Sequence, residues 1–248
     1  MITLKEFFTE NPRAALALSG GVDSCYLLYA GLHYKADVQP YFIKSQFQPE
    51  FELDDAKRIC EQLNVGLKII HVDALASVCI ANNPTDRCYH CKRMLFSTLR
   101  EKAELDGYSL LIDGTNASDL ADDRPGMLAL AQMHVRSPLR ECGLTKENIR
   151  ALSRTAGLFV ADKPSYACLA TRISHNEPLT EKKLKDVERA EGILFDMGYS
   201  DLRVRSKCGT ALLQFPKEQL SSAYAEEAAI RSKLGSMFRS VLIDPVGR

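Results

Sequence analysis

The sequence predicts an α/β fold, with a parallel sheet carrying helices on both faces and a small α+β region at the C-terminal end. Short apolar runs alternate with helix-length amphipathic stretches through the longer N-terminal part of the chain. The first apolar run breaks at Ser19-Gly20-Gly21, a turn suited to the passage from strand to helix. Beyond about residue 174 the pattern changes to helix, hairpin, helix and strand.

In chain order, residues 13–18 read as a strand, and residues 22–32 as a helix with Val22, Tyr26 and Tyr29 on one face. Residues 38–43 form a second strand, 51–63 an amphipathic helix and 67–72 a third strand, with apolar Leu67, Ile69, Ile70 and Val72. A helix over 91–105 ends at Gly107, and a strand at 110–112 runs into Asp113-Gly114-Thr115-Asn116. Thr145 caps a helix reaching about Ala156 and stopped by Gly157; Lys163-Pro164 then opens an irregular stretch to Ile173. From Thr180 a helix carries Leu184, Val187 and Leu194 on one face. A hairpin of 202–205 and 211–215, a last helix and a strand at 241–243 follow. The expected domains are residues 1–173 and 174–248.

The 248 residues are 46% hydrophobic and 26% charged, which suits one or two globular domains of about 150 residues and excludes a disordered, collagenous or repeat protein. Thirty-two basic residues balance 32 acidic ones, so no global field draws the chain to nucleic acid or anionic lipid, and neither is expected as a partner. Apolar runs fall short of the roughly 20 residues that cross a bilayer. The opening Met-Ile-Thr-Leu-Lys-Glu lacks the features of a secretory signal, so a cytoplasmic location is expected. There the eight cysteines serve as thiols, metal ligands or redox groups.

Ser19-Gly20-Gly21-Val22-Asp23-Ser24 leaves a strand and enters a helix, where backbone N–H groups and the helix dipole converge on an anion. A Walker A loop would end in Gly-Lys-Ser/Thr and supply a lysine; this loop does not. It resembles the loop of the PP-loop ATP pyrophosphatases, with the adenine nucleotide alpha hydrolase-like fold. That likeness implies ATP with Mg²⁺, pyrophosphate seated in the loop, an adenylylated oxygen acid and Asp23 as a Mg²⁺ ligand. Thr115, Asn116 and Asp119, at a second strand end, suit ribose, Mg²⁺ or phosphate, although such residues also build ordinary turns.

Cys88-Tyr89-His90-Cys91 puts two thiols at a helix start, where the dipole favours thiolate. Cys168 lies in Lys163-Pro164-Ser165-Tyr166-Ala167-Cys168-Leu169-Ala170-Thr171-Arg172, among basic groups. Three thiolates suit a [4Fe–4S] cluster with one iron open to an exogenous ligand such as sulfide. Zinc completed by His90, Cys79 or His175, or a thiol–disulfide pair, are the alternatives. Otherwise Cys25, Cys60, Cys79, Cys142 and Cys208 read as inert thiols, free cysteine commonly behaving as a small hydrophobe.

Together, Ser19–Ser24, the run DGTNASDLADDRPG (113–126) and KPSYACLATR (163–172) resemble the LarE family of sulfur transferases in order and spacing, over nearly the whole chain. The resemblance implies adenylylation of pyridinium-3,5-biscarboxylic acid mononucleotide, and sulfur from sulfide or another donor then displaces AMP. The product serves the nickel-pincer nucleotide cofactor of lactate racemase. It also implies a homo-oligomer. Cys168 matches a family cysteine that in one branch surrenders its own sulfur; Cys88 and Cys91 match the branch using a [4Fe–4S] cluster. Arg203 and Arg205 alternate along a strand, a pattern otherwise common on a solvated face; the resemblance implies that they grip the substrate phosphate, and Arg172, close after Cys168, could also meet an anion. Glu191 is expected to act on a proton or to orient an arginine. A PP-loop tRNA thiolase, an amide-forming synthetase and a zinc-stabilised nucleotide-binding protein are the rival readings, and the interleaved charges argue against the first.

Overall fold

The structure, a computed structural model, describes residues 2–119 and 125–248, so residues 120–124 of the 113–126 run lie outside the described residues. Contacts group the chain into two compact units. One holds Met1–Asp73 and Asp86–Lys163, the other Ala74–Thr85 and Pro164–Arg248.

The first unit opens with α1 (Leu4–Glu10), whose Thr3 and Glu6 exchange side-chain and backbone hydrogen bonds in a capping box. β1 (Arg13–Ala17), α2 (Val22–His33), β2 (Asp37–Lys44), α3 (Glu50–Gln62) and β3 (Lys68–His71) follow. The short α4 (Val78–Ala81) belongs to the second unit, after which the first resumes with α5 (Arg87–Leu105), β4 (Leu111–Asp113), α6 (Pro125–Gln132), α7 (Pro138–Glu141) and α8 (Lys146–Thr155). Among the described residues its sheet has four parallel strands in the order β3-β2-β1-β4.

Strand alternation divides the core between the two faces. Ala14, Leu16, Val38, Phe42 and Ile112 pack with Phe7, Leu27, Leu28, Ile59 and Ile149 of the helices α1, α2, α3 and α8. Their neighbours Ala15, Tyr41 and Leu111 face the other way, onto Phe96 and Leu99 of α5 and Leu130 of α6. Helices therefore cover both faces, as the sequence predicts. Each large apolar side chain buried in this way contributes roughly 1.5–3 kcal/mol.

β2 and β3 lie on one side of β1 and β4 on the other, so the chain reverses its direction of travel across the sheet at β1/β4. In parallel α/β sheets ligands occupy the crevice beyond the carboxyl ends of the strands at such a point. The loops leaving β1 and β4 do meet there. A Cβ on Gly114 would stand 2.7 Å from the Ser24 backbone nitrogen, a separation real Cβ atoms do not show.

In the second unit, α9 (Glu181–Asp196) buries Leu184, Val187, Ala190 and Leu194. β5 (Arg203–Lys207), β6 (Thr210–Gln214), α10 (Leu220–Ala225), α11 (Glu227–Leu234) and β7 (Ser240–Ile243) complete the chain. β6 pairs antiparallel with β5 and parallel with β7. Two features differ from expectation. The last helix is two helices, broken at Glu226, whose φ of −100° and ψ of 11° leave the helical region. The grouping also departs from 1–173 and 174–248, because buried Asn83 donates to the carbonyls of Ser174 (2.8 Å) and Glu177 (3.2 Å) and accepts from Asn176 N (2.8 Å). No helix among the described residues is long and apolar enough to cross a membrane.

Gly114→Ala should displace the β4 loop from α2, lowering stability by about 1–3 kcal/mol, the usual cost of overpacking. Urea denaturation checks this, and an unchanged midpoint would contradict the close approach.

Candidate functional site

The phosphate loop is shaped by two constraints that only glycine and serine satisfy here. Gly20 has a φ of +74°, and a Cβ on it would lie 2.5 Å from the Glu52 carbonyl oxygen of α3. Ser24, buried in the first turn of α2, accepts from Ser19 N (3.1 Å) and donates to Gly21 O (3.2 Å); its hydroxyl is 3.0 Å from that of Ser19. Gly21 is the N-cap of α2 and Val22 its first residue, so the unpaired N–H groups of the first turn open onto the loop.

The loop after β4 is internally tied. Asp113, buried, accepts from Thr115 N (3.2 Å), Thr115 Oγ1 (2.6 Å) and Ser137 Oγ (2.7 Å). Asn116, also buried, accepts from Ser118 N (2.8 Å), while its own N–H donates to Asp119 Oδ2 (3.1 Å). Thr115, Asn116 and Asp119 thus belong to the loop whose Gly114 presses on Ser24.

Asp23 occupies the first turn of α2. Its Oδ2 accepts from Lys146 Nζ at 2.5 Å, whereas Oδ1 is buried with no hydrogen-bond partner. Burial pushes its pKa up, and Lys146, with a smaller contribution from the Asn116 side chain, opposes that rise. A half-buried carboxylate with one oxygen making no close hydrogen bond is a fitting ligand for a divalent cation, which takes hard oxygen donors. A second lysine fastens the loop from outside. Lys163 Nζ donates to Gly20 O (3.0 Å) and Asp55 Oδ2 (2.5 Å), with the Phe51 ring centroid 5.2 Å away. Sequence reasoning assigned no role to Lys146 or to the Lys163–Asp55 pair. Their one signal is the missing Walker lysine, which requires the loop's cations to come from elsewhere.

Cys88 and Cys91 lie one turn apart near the start of α5, both half-buried, with Arg87 Nη2 donating to Cys88 Sγ at 3.6 Å. α5 begins at Arg87 rather than at the expected Cys91, so both thiols are helical and share a face. They belong to the first unit and Cys168 to the second, where it is the N-cap of a 3-10 turn, Leu169–Arg172. Among the described residues no three His, Cys, Asp or Glu side chains form a group that could hold a metal ion. Cys88 lies beside the Arg87 guanidinium and Cys91 one helical turn from it, and sulfur donors are of the type that iron and zinc take. Burial raises the Cys60 thiol to about 12 and Cys142 to about 11, and pushes Cys25 up as well, in keeping with inert packing.

In the second unit Arg172 and Glu191 form a buried ion pair, Nε to Oε1 at 2.8 Å, with side chains 0% and 1% exposed. Arg172 also donates to Ala167 O (2.9 Å) and Thr171 Oγ1 (3.0 Å) and lies over the Tyr166 ring, whose hydroxyl donates to Glu191 Oε2. Glu191 Oε1 additionally accepts from Val204 N (2.9 Å), which sets the position of β5. Glu191 thus has Arg172, the Tyr166 hydroxyl and the Val204 backbone as its partners. Arg172, turned inward, holds the Cys168 turn in shape. Val204 and Ser206 are buried, so Arg203 and Arg205 share the other face of β5. Arg205 donates to Thr171 O (3.0 Å) and Gln214 Oε1 (2.7 Å). Burial, and then repulsion from Arg172 and Arg248, lowers the pKa of both. Such a crowd of cations favours an anion.

No protein-family model matches the chain. It is 37% identical over 220 residues to an uncharacterized protein of Synechocystis sp., covering 88% of this chain and 81% of that relative. It is 31% identical over 242 residues to an uncharacterized protein of Methanocaldococcus jannaschii, covering 97% and 92%. Over 245 residues it is 28% identical to the pyridinium-3,5-bisthiocarboxylic acid mononucleotide synthase of Lactiplantibacillus plantarum, covering 98% and 89%.

Glu191→Gln leaves the Arg172 charge buried without its counter-ion, and should lower stability by about 3–5 kcal/mol. Chemical denaturation measures this; a loss under about 1 kcal/mol would show that the pair is not closed to water.

Proposed function

Because the chain belongs to the LarE family of PP-loop, ATP-dependent sulfur transferases, we propose that it adenylylates the carboxylates of pyridinium-3,5-biscarboxylic acid mononucleotide and exchanges oxygen for sulfur. The observation that carries this reading is the cradle at the β1/β4 crevice, where the Ser19–Ser24 loop meets the Gly114 loop beside an Asp23 oxygen with no partner.

The reaction divides by chemistry. A carboxylate oxygen is a poor leaving group, whereas AMP leaves readily from a mixed anhydride. Backbone N–H groups at the start of α2 take the phosphate chain of ATP, and Asp23 presents an oxygen to Mg²⁺. Thr115, Asn116 and Asp119 line the nucleotide side. Arg203 and Arg205, on one face of β5, take the phosphate of the mononucleotide. On this reading Cys88, Cys91 and Cys168 would be the ligands of a [4Fe–4S] cluster, which when bound would supply an open iron for sulfide. A second round on the other carboxylate gives the bisthiocarboxylate, the precursor of the nickel-pincer nucleotide of lactate racemase. The product and both nucleotides fit a cytoplasmic enzyme, and family likeness favours a homo-oligomer.

Pyrophosphate release from ATP is expected only with the pyridinium mononucleotide present, and neither tRNA nor ammonia should replace it. Arg203→Ala and Arg205→Ala should each raise the KM for that substrate about tenfold to a hundredfold, the worth of a charged hydrogen bond. Equal turnover with tRNA would overturn the substrate assignment. Anaerobic reconstitution with iron and sulfide should give a brown protein, and Cys88→Ala should bleach it and stop sulfur incorporation. Colourless protein with stoichiometric zinc and full sulfur transfer would overturn the cluster.

A further inference from the structure

The phosphate loop contains no lysine, yet a lysine reaches it. Lys146 is the first residue of α8, held at the crevice by the loop after β4. Its N–H donates to Ser118 Oγ (3.0 Å), Ala117 N donates to Leu144 O (2.8 Å), and Arg140 donates to Asp119 O. Thr145 caps the helix by accepting from Asn148 N (3.2 Å), which fixes the direction in which Lys146 leaves the corner. From there Nζ spans to Asp23 Oδ2 at 2.5 Å, with 28% of the side chain exposed.

A simple structural pair is a poor account of this geometry. Native proteins rarely bury an oxygen without a hydrogen-bond partner, and Asp23 Oδ1 is such an oxygen. An ion pair serving stability alone would satisfy both oxygens, because the cost of burying a carboxylate is met only when its lone pairs are used. Here Asp23 is bound at one oxygen by Lys146, while the other makes no close hydrogen bond and has only the weaker influence of the Asn116 side chain, in the first turn of the helix that opens onto the phosphate cradle.

We propose that Lys146 is the phosphate cation of this site, parked on Asp23 and transferred to the phosphate chain of ATP on binding. The inference rests on the adenylylation reading and names a catalytic residue within it. An oxygen of the acceptor carboxylate attacks the α-phosphorus, the bond from that phosphorus to the bridging oxygen breaks, and the electron pair leaves on pyrophosphate. Lys146 neutralises the charge that gathers on the departing oxygens, and no proton changes hands. Preplaced charge of this kind typically accounts for about 100- to 1000-fold in rate.

Inorganic pyrophosphate with Mg²⁺ is the probe, because it needs neither the pyridinium substrate nor a sulfur donor. Calorimetry should give binding to the wild-type chain, about tenfold to a hundredfold weaker binding to Lys146→Ala, and partial recovery in Lys146→Arg. Thermal melting runs beside it. The wild-type protein supplies a readout independent of any variant's folding: pyrophosphate should protect the Lys146 amine from acetylation, as mapped by mass spectrometry. Equal binding by wild type and Lys146→Ala, or unchanged acetylation, overturns the role of Lys146 while leaving the cradle intact. Failure of the wild-type chain to bind pyrophosphate or ATP overturns the cradle itself and the inference with it.

Discussion

The close approach of Gly114 to the first turn of α2 is the contact on which the site depends. Parallel strand order brings the carboxyl ends of β1 and β4 side by side, but neighbouring strands alone do not make a pocket. The backbone of Gly114, 2.7 Å from Ser24 N at the point a Cβ would occupy, removes the space that would let the two loops splay apart. Gly20 plays the same part on the opposite flank, against the Glu52 carbonyl. The Ser19–Ser24 turn thus gains two backbone walls, and the missing side chains make the approach possible.

The charges of the crevice are organised as pairs. Lys146 neutralises Asp23, and Lys163 neutralises Asp55 while holding the carbonyl of Gly20. The chain as a whole carries no net charge, so affinity for a polyanion must be generated by such local arrangements rather than by a global field. The second unit follows a different rule. Its buried Arg172 is spent on Glu191, Ala167 and Thr171, whereas Arg203 and Arg205 lie on the other face of β5, Arg205 donating to Thr171 O and Gln214 Oε1.

Local signals were the legible part of the sequence. Strand, glycine turn and helix around Ser19 follow from apolar spacing and from two adjacent glycines, and the alternation of Arg203 and Arg205 follows from the period of a strand. The Thr3–Glu6 capping box is equally local, and sequence reasoning passed over it. Contacts between residues distant along the chain were illegible. Lys146 and Asp23 are separated by 123 residues, and Lys163 and Asp55 by 108. Nothing in composition tells a lysine bound to a nucleotide loop from one on a solvated helix. Arg172 reads as an anion-binding residue from its place close after Cys168, but its direction is set by Glu191 of α9. Asn83 likewise ties residues 74–85 to the second unit through carbonyls that lie about 90 residues away.

The central claim is that this crevice activates a carboxylate by joining it to AMP. Acceptor labelled with heavy oxygen in both carboxylates, incubated anaerobically with ATP and sulfide, tests this through the AMP formed. Transfer of one labelled oxygen to AMP, matched by one sulfur gained in the pyridinium product, is the result the account requires. Unlabelled AMP accompanied by sulfur gain would contradict it, because oxygen would then leave the acceptor by a route that never passes through the phosphate cradle.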